Sequence, residues 1–150
     1  MTSNVDIVKF LNGVTGNNLL LWKVVLATIV FGLAGLQAAL AARFYGVATF
    51  PPISGGTAAR IHRYSGRLAV LLGVLVGFSC VVGPAGPTSP TRVLLHSIFG
   101  SAVFVVLTAK FAVLRVLRKG DKLLPLLGCL LFLAFAAVWV TSVADYVAAR

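Results

Sequence analysis

Apolar residues run along this chain in four long blocks, at residues 19–42, 58–82, 92–116 and 123–148. Polar residues collect between the blocks and at the start. Each block exceeds the ~20 residues that carry a helix across ~30 Å of hydrocarbon. Chain this apolar must satisfy its backbone internally, which selects helices. The connections hold the expected breakers. Pro51, Pro52, Gly55 and Gly56 lie in the first, Pro84, Gly86, Pro87 and Pro90 in the second, and Gly120 in the third. Short connections make consecutive helices antiparallel neighbours. The pattern therefore predicts an all-α membrane protein, a single antiparallel four-helix transmembrane bundle over residues 1–150, with the lipid bilayer as its first partner.

Residues 1–17 precede the first block. Val5, Val8 and Leu11 share one helical face, with Ile7 beside them, and Asn4, Asp6, Lys9 and Asn12 form the polar complement. Two readings fit: a short helix lying on the membrane surface, or a disordered tail. The stretch has no basic region followed by a long apolar run, so it does not read as a cleaved signal peptide.

Composition supports the membrane reading. Hydrophobic residues make up 59% of the chain and charged residues 11%, against ~45–50% and ~25% in soluble domains. A chain of 150 residues cannot bury such an excess in a soluble core. Glutamate is absent, so the net charge of +10 reflects scarce acids beside ordinary basic loop residues. The basic residues cluster at the block ends, where membrane topology places them, and this argues against nucleic-acid binding. Arg43, Arg60, Arg63 and Arg67 flank the first connection. Arg115, Arg118, Lys119 and Lys122 flank the third, and Arg92 alone the second. This bias puts the first and third connections in the cytoplasm, with both termini outside.

Candidate chemistry centres on the only two histidines, His62 in the second block and His96 in the third. A histidine inside a membrane helix is a functional-site candidate by default. On a helical wheel Gly66, Ala69, Gly73 and Cys80 fall within about 40° of His62, and Gly77 just beyond. The second helix thus presents a groove of small side chains. One reading is close helix packing; the other is room for a flat macrocycle against the backbone. His96 is followed one turn later by Gly100. Two imidazoles on neighbouring helices suggest a haem b. His62 and His96, however, sit near opposite ends of antiparallel helices, roughly 20–25 Å apart in depth at 1.5 Å per residue. They cannot share one iron. His96 has Cys80, Lys23 or an open position for a second ligand. His62 has only Tyr45, Tyr64 or Cys129.

Other chemistries fare worse. Asp145 is the only acid in the blocks, which disfavours a proton-coupled transporter. No nucleophile, base and orienting group stand together, so the chain does not read as an enzyme on its own. Cys80 and Cys129 lie at opposite depths and cannot form a disulfide. No CxxCH motif is present, which excludes covalent c-type haem. Lys23 and Asp145 lie at similar depth and suit an ion pair. Trp22, Trp139 and Tyr146 read as an interfacial aromatic belt.

The stretch His62-Arg63-Tyr64-Ser65-Gly66-Arg67-Leu68-Ala69 resembles the HRxxGRLA segment of ferric-reductase-like and b-type cytochrome membrane domains. With Arg92-Val93-Leu94-Leu95-His96-Ser97 and Thr108-Ala109-Lys110, the chain is similar to a family of small four-helix actinobacterial membrane proteins of unassigned function. The resemblance implies haem-dependent electron transfer, with His62 and His96 as ligands to different irons. Relatives in these groups usually carry a further histidine late in the second helix; here the region reads Phe78-Ser79-Cys80, with Ser79 at that place. Two functions follow as expectations. The first is an electron-transfer subunit, cytochrome b-like, passing electrons between a membrane quinone or partner and a redox protein, with Gly66, Gly73, Gly77 and Gly100 lining the cofactor. The second is a non-catalytic accessory subunit of a respiratory or other membrane complex that has lost its haem.

Overall fold

The computed structural model describes residues 3–83, 89–117 and 123–148. A short helix α1 (Ser3–Val14) precedes α2 (Leu19–Phe44), α3 (Gly55–Val82), α4 (Pro90–Ala112) and α5 (Leu123–Ala148). One π-helical turn, Val113–Leu117, extends α4. Four helices are long and apolar enough to cross a membrane, with spans at Leu19–Phe44, Gly55–Val82, Pro90–Val116 and Leu123–Val143. The fold is thus the all-α, membrane-spanning one that the apolar blocks predict. Of the two readings of the N-terminal stretch, the helix is the one observed. It ends where Gly16 and Asn17 take left-handed backbone angles, φ 59° and 60°.

Local chemistry sets the boundaries. The Ser54 side chain accepts a hydrogen bond from the Thr57 N–H and caps α3. Arg43 Nε donates to the Ile53 carbonyl at 2.8 Å, tying the end of α2 to the turn before α3. Pro90 opens α4, where its missing N–H costs nothing. The predicted breakers Pro84, Gly86, Pro87 and Gly120 lie outside the described residues.

Contacts along the helices show their directions. Phe44, at the end of α2, meets His62 near the start of α3, with ring centres 5.2 Å apart. At the other end, Lys23 and Leu19 of α2 lie against Gly83, just past α3. The Lys23 ammonium therefore sits where the α3 carbonyls end, the favourable place for a cation. The expected Lys23–Asp145 pair cannot be followed further, because the Asp145 side chain lies outside the described residues. Phe31 of α2 stacks between Phe132 and Trp139 of α5, with centroids at 5.7 and 5.0 Å. Trp139 Nε1 donates to the Thr28 hydroxyl at 3.0 Å. Trp139 thus faces the seam between α2 and α5, which half-buries its ring and satisfies its N–H.

Packing runs in the order α3, α2, α5, α4. The neighbours α3 and α4 barely approach each other along their backbones. The expectation that all consecutive helices pack side by side fails at this pair. Few side chains are buried within the single chain, and Leu40 and Ala58 are among those that are. The outward faces are apolar and exposed, as a bilayer-facing surface requires.

Candidate functional site

His62 and His96 occupy opposite ends of the bundle, in different surroundings. His62 Nδ1 lies 3.2 Å from the Gln37 carbonyl oxygen of α2. A carbonyl only accepts, so His62 Nδ1 carries the proton. The Gln37 side chain donates to Ser65 Oγ at 2.6 Å, and Ser65 in turn donates to the Ile61 carbonyl. Lys110 of α4 lies within electrostatic range of His62. These polar groups clamp α2 to α3, and Gly66 allows the approach. A methyl group at Gly66 would lie 3.0 Å from Gln37 Oε1.

His96 is held by α5. Its Nδ1 lies 3.0 Å from Thr141 Oγ1. That hydroxyl donates to the Ala137 or Val138 carbonyl, both at 2.9 Å, so it accepts from His96 Nδ1–H. The Arg92 guanidinium bonds the Thr141 carbonyl. This arrangement fixes the ring and leaves Nε2 with its lone pair. Such anchoring of the far ring nitrogen is the usual companion of a metal-bound imidazole.

His96 also lines a half-open cavity of about 490 Å³ between α2, α3, α4 and α5. This is within the range of small-molecule and cofactor sites, ~300–1,000 Å³. Val30, Val76, Val103 and Phe135 form apolar walls, while Lys23, Arg92, Ser97 and Thr141 gather towards the His96 end. Cys80 lines it too. His62 and Gly66 do not. Gln37, which bonds His62, and Lys23, which lines this cavity, are both on α2, fourteen positions apart, or ~21 Å. The two imidazoles therefore face separate sites.

The predicted glycine groove divides along its length. A methyl group at Gly73 would lie 3.8 Å from the Phe135 ring, and one at Gly77 would lie 2.8 Å from the Phe104 ring. These glycines receive aromatic side chains of the chain itself, as the packing reading expects. Gly73 and Gly77 nonetheless line the cavity beside these rings, as does Gly100, where nothing lies within 4 Å of an added methyl group. Ser79, the position where a second histidine would be sought, is buried and bonds the Leu75 carbonyl at 2.8 Å. It does not line the cavity, whereas its neighbour Cys80 does.

The fit of a haem b can be tested on these residues. Among the described residues no group of three or more His, Cys, Asp or Glu side chains could hold a bare metal ion. One anchored imidazole, apolar walls and two cations at the polar end do suit a single haem with one histidine ligand and its carboxylates towards Lys23 and Arg92. A bis-histidine haem does not fit. Sequence reasoning missed Thr141, Phe104 and Phe135, because no motif marks a hydroxyl or ring that closes a site from another helix.

The architecture defines a four-helix integral membrane protein, with a cavity at His96 among the described residues. The chain belongs to the DUF6529 family, a family of unknown function whose profile matches residues 7–149. No curated protein and no solved structure matches it.

Proposed function

We propose that this chain is a membrane-embedded electron-transfer subunit that holds one redox group, a haem b, in the cavity at His96. The observation that carries the reading is the anchored His96 imidazole, with Nε2 uncommitted, on the wall of a 490 Å³ cavity. His96 would hold the iron, Thr141 would orient the imidazole, and Lys23 and Arg92 would make the end of the cavity near His96 cationic, which suits the group's carboxylates. A haem held there would supply a one-electron couple. The resemblance of the His62–Ala69 stretch to ferric-reductase-like and b-type cytochrome domains agrees with redox chemistry, but His62 acts in this reading as the clamp between α2 and α3. The electron partners are a membrane quinone or neighbouring subunit and a redox protein. The basic residues orient the bundle with both termini outside.

The second reading, an accessory subunit that has lost its haem, draws on a different observation. Phe104 and Phe135 fill the α3 glycines that a macrocycle would otherwise use. A spectrum of detergent-purified protein decides. A reduced-minus-oxidised b-type band that disappears in His96→Ala and Gly100→Leu, yet survives in His62→Ala, supports the first reading. Colourless protein after supplying haem, purified with a stoichiometric membrane partner, supports the second.

A further inference from the structure

The face of α3 turned away from His62 has its own chemistry. Arg60, Arg63 and Arg67 follow one another at spacings of three and four, so they form one stripe. All three are exposed. The stripe lies about 100–160° around the helix from His62. Tyr64, 64% exposed, borders it, and the Arg67 guanidinium sits 5.8 Å from the Tyr64 ring centre. Arg67 is twelve residues beyond Gly55, ~18 Å along the helix. The stripe thus climbs from the helix end well into the apolar span.

An arginine at that depth extends its charged head back towards the headgroup level. Beyond it the same face continues with Leu71, Val74 and Phe78, all exposed. The face therefore reads as three guanidinium groups followed by an apolar track. Among the described residues the acids are Asp6 and Asp145, on α1 and late α5, at the other end of the bundle. Arg43, at the same end as the stripe, already donates to the Ile53 carbonyl.

We propose that this stripe is a binding site for an anionic phospholipid, with the phosphate held by Arg60, Arg63 and Arg67 and an acyl chain along Leu71, Val74 and Phe78. Guanidinium groups match phosphate oxygens in bidentate geometry. Three of them on one helix face concentrate the positive potential that recruits acidic lipid. The site is independent of the cavity at His96.

The test uses the full chain in phosphatidylcholine bilayers, with and without a two-phosphate phospholipid, and native mass spectrometry of the lipid retained after mild extraction. The wild type retains the acidic lipid preferentially. Arg63→Gln and Arg67→Gln each lower that retention about fivefold. Replacing all three by Gln also weakens the topology signal, so Arg60→Lys, Arg63→Lys and Arg67→Lys combined serves as the paired variant. It keeps charge and insertion but loses the bidentate geometry, so it retains less lipid than the wild type and more than the double Gln variant. Arg115→Gln, on α4, leaves retention unchanged. Unchanged retention in the Arg63→Gln, Arg67→Gln double variant overturns the site. So does an equal loss in Arg115→Gln, which would mean diffuse attraction to a basic surface.

Discussion

His62 and His96 are both half-buried and each anchored through Nδ1 by a neighbouring helix, yet the first packs against Gln37 and Phe44 while the second lines a cavity. His62 meets the Gln37 carbonyl and the Phe44 ring, and Gln37 itself fills the space above Gly66. His96 meets a hydroxyl that already donates to its own helix, and its surroundings open into the cavity. The same side chain therefore serves as a rivet at one end and as an available base or ligand at the other. An intramembrane histidine is informative only together with the volume around it. Depth and residue type alone rank the two equally.

The sharpest way to break this comparison is to exchange the losses. His96→Ala is expected to remove all haem absorbance from haem-supplied protein while leaving the bundle folded by circular dichroism. His62→Ala is expected to keep the absorbance and lower stability by about 1 kcal/mol, the loss of one part-buried interhelical hydrogen bond. Absorbance and unfolding in detergent read both. If His62→Ala alone bleaches the protein, the roles assigned to the two ends are reversed.

Gly100→Leu sharpens the cavity side of the comparison. The new side chain meets no protein atom within 4 Å at its first carbon, so the helix tolerates it while the cavity fills. Loss of haem retention with an unchanged or raised unfolding midpoint is the expected result. Gly77→Ala tests the packed part of the groove. Its methyl group would press on the Phe104 ring at 2.8 Å, and the ring must turn aside. We expect a loss of about 1 kcal/mol, recovered in the Gly77→Ala, Phe104→Leu double variant. Ser65→Ala gives the smallest effect. It removes one interhelical hydrogen bond, worth about 0.6 kcal/mol in membrane proteins, and leaves the spectrum unchanged.

Much of the fold was legible in the residues. The four spans follow from block length, though Gly55, Gly56 and Pro90, read as breakers between them, stand in the first turns of α3 and α4. The separation of the two histidines follows from helix direction and a fixed rise per residue. What stayed hidden depends on which helices touch. The gap between α3 and α4 has no sequence signal, because a short connection constrains ends and not whole faces. Trp139 reads as a belt residue by depth alone, and nothing in that depth shows that Phe31 and Thr28 draw it into the seam with α2. The glycines at 73 and 77 promise room on a wheel, and only the partner helices show that Phe135 and Phe104 occupy it. Arg60, Arg63 and Arg67 were legible as topology signals, whereas their alignment on one exposed face becomes meaningful once the opposite face is seen to hold α2.

The sparse contact between α3 and α4 has a consequence for assembly. The chain is two hairpins, α2 with α3 and α4 with α5, joined through α2 and α5. The covalent link between the hairpins thus bridges two helices whose backbones stay apart and that meet through side chains such as Phe104 at Gly77. Two polypeptides divided between residues 85 and 86 and synthesised together should find one another in the bilayer and rebuild the whole, since the surfaces that recognise each other lie on α2 and α5.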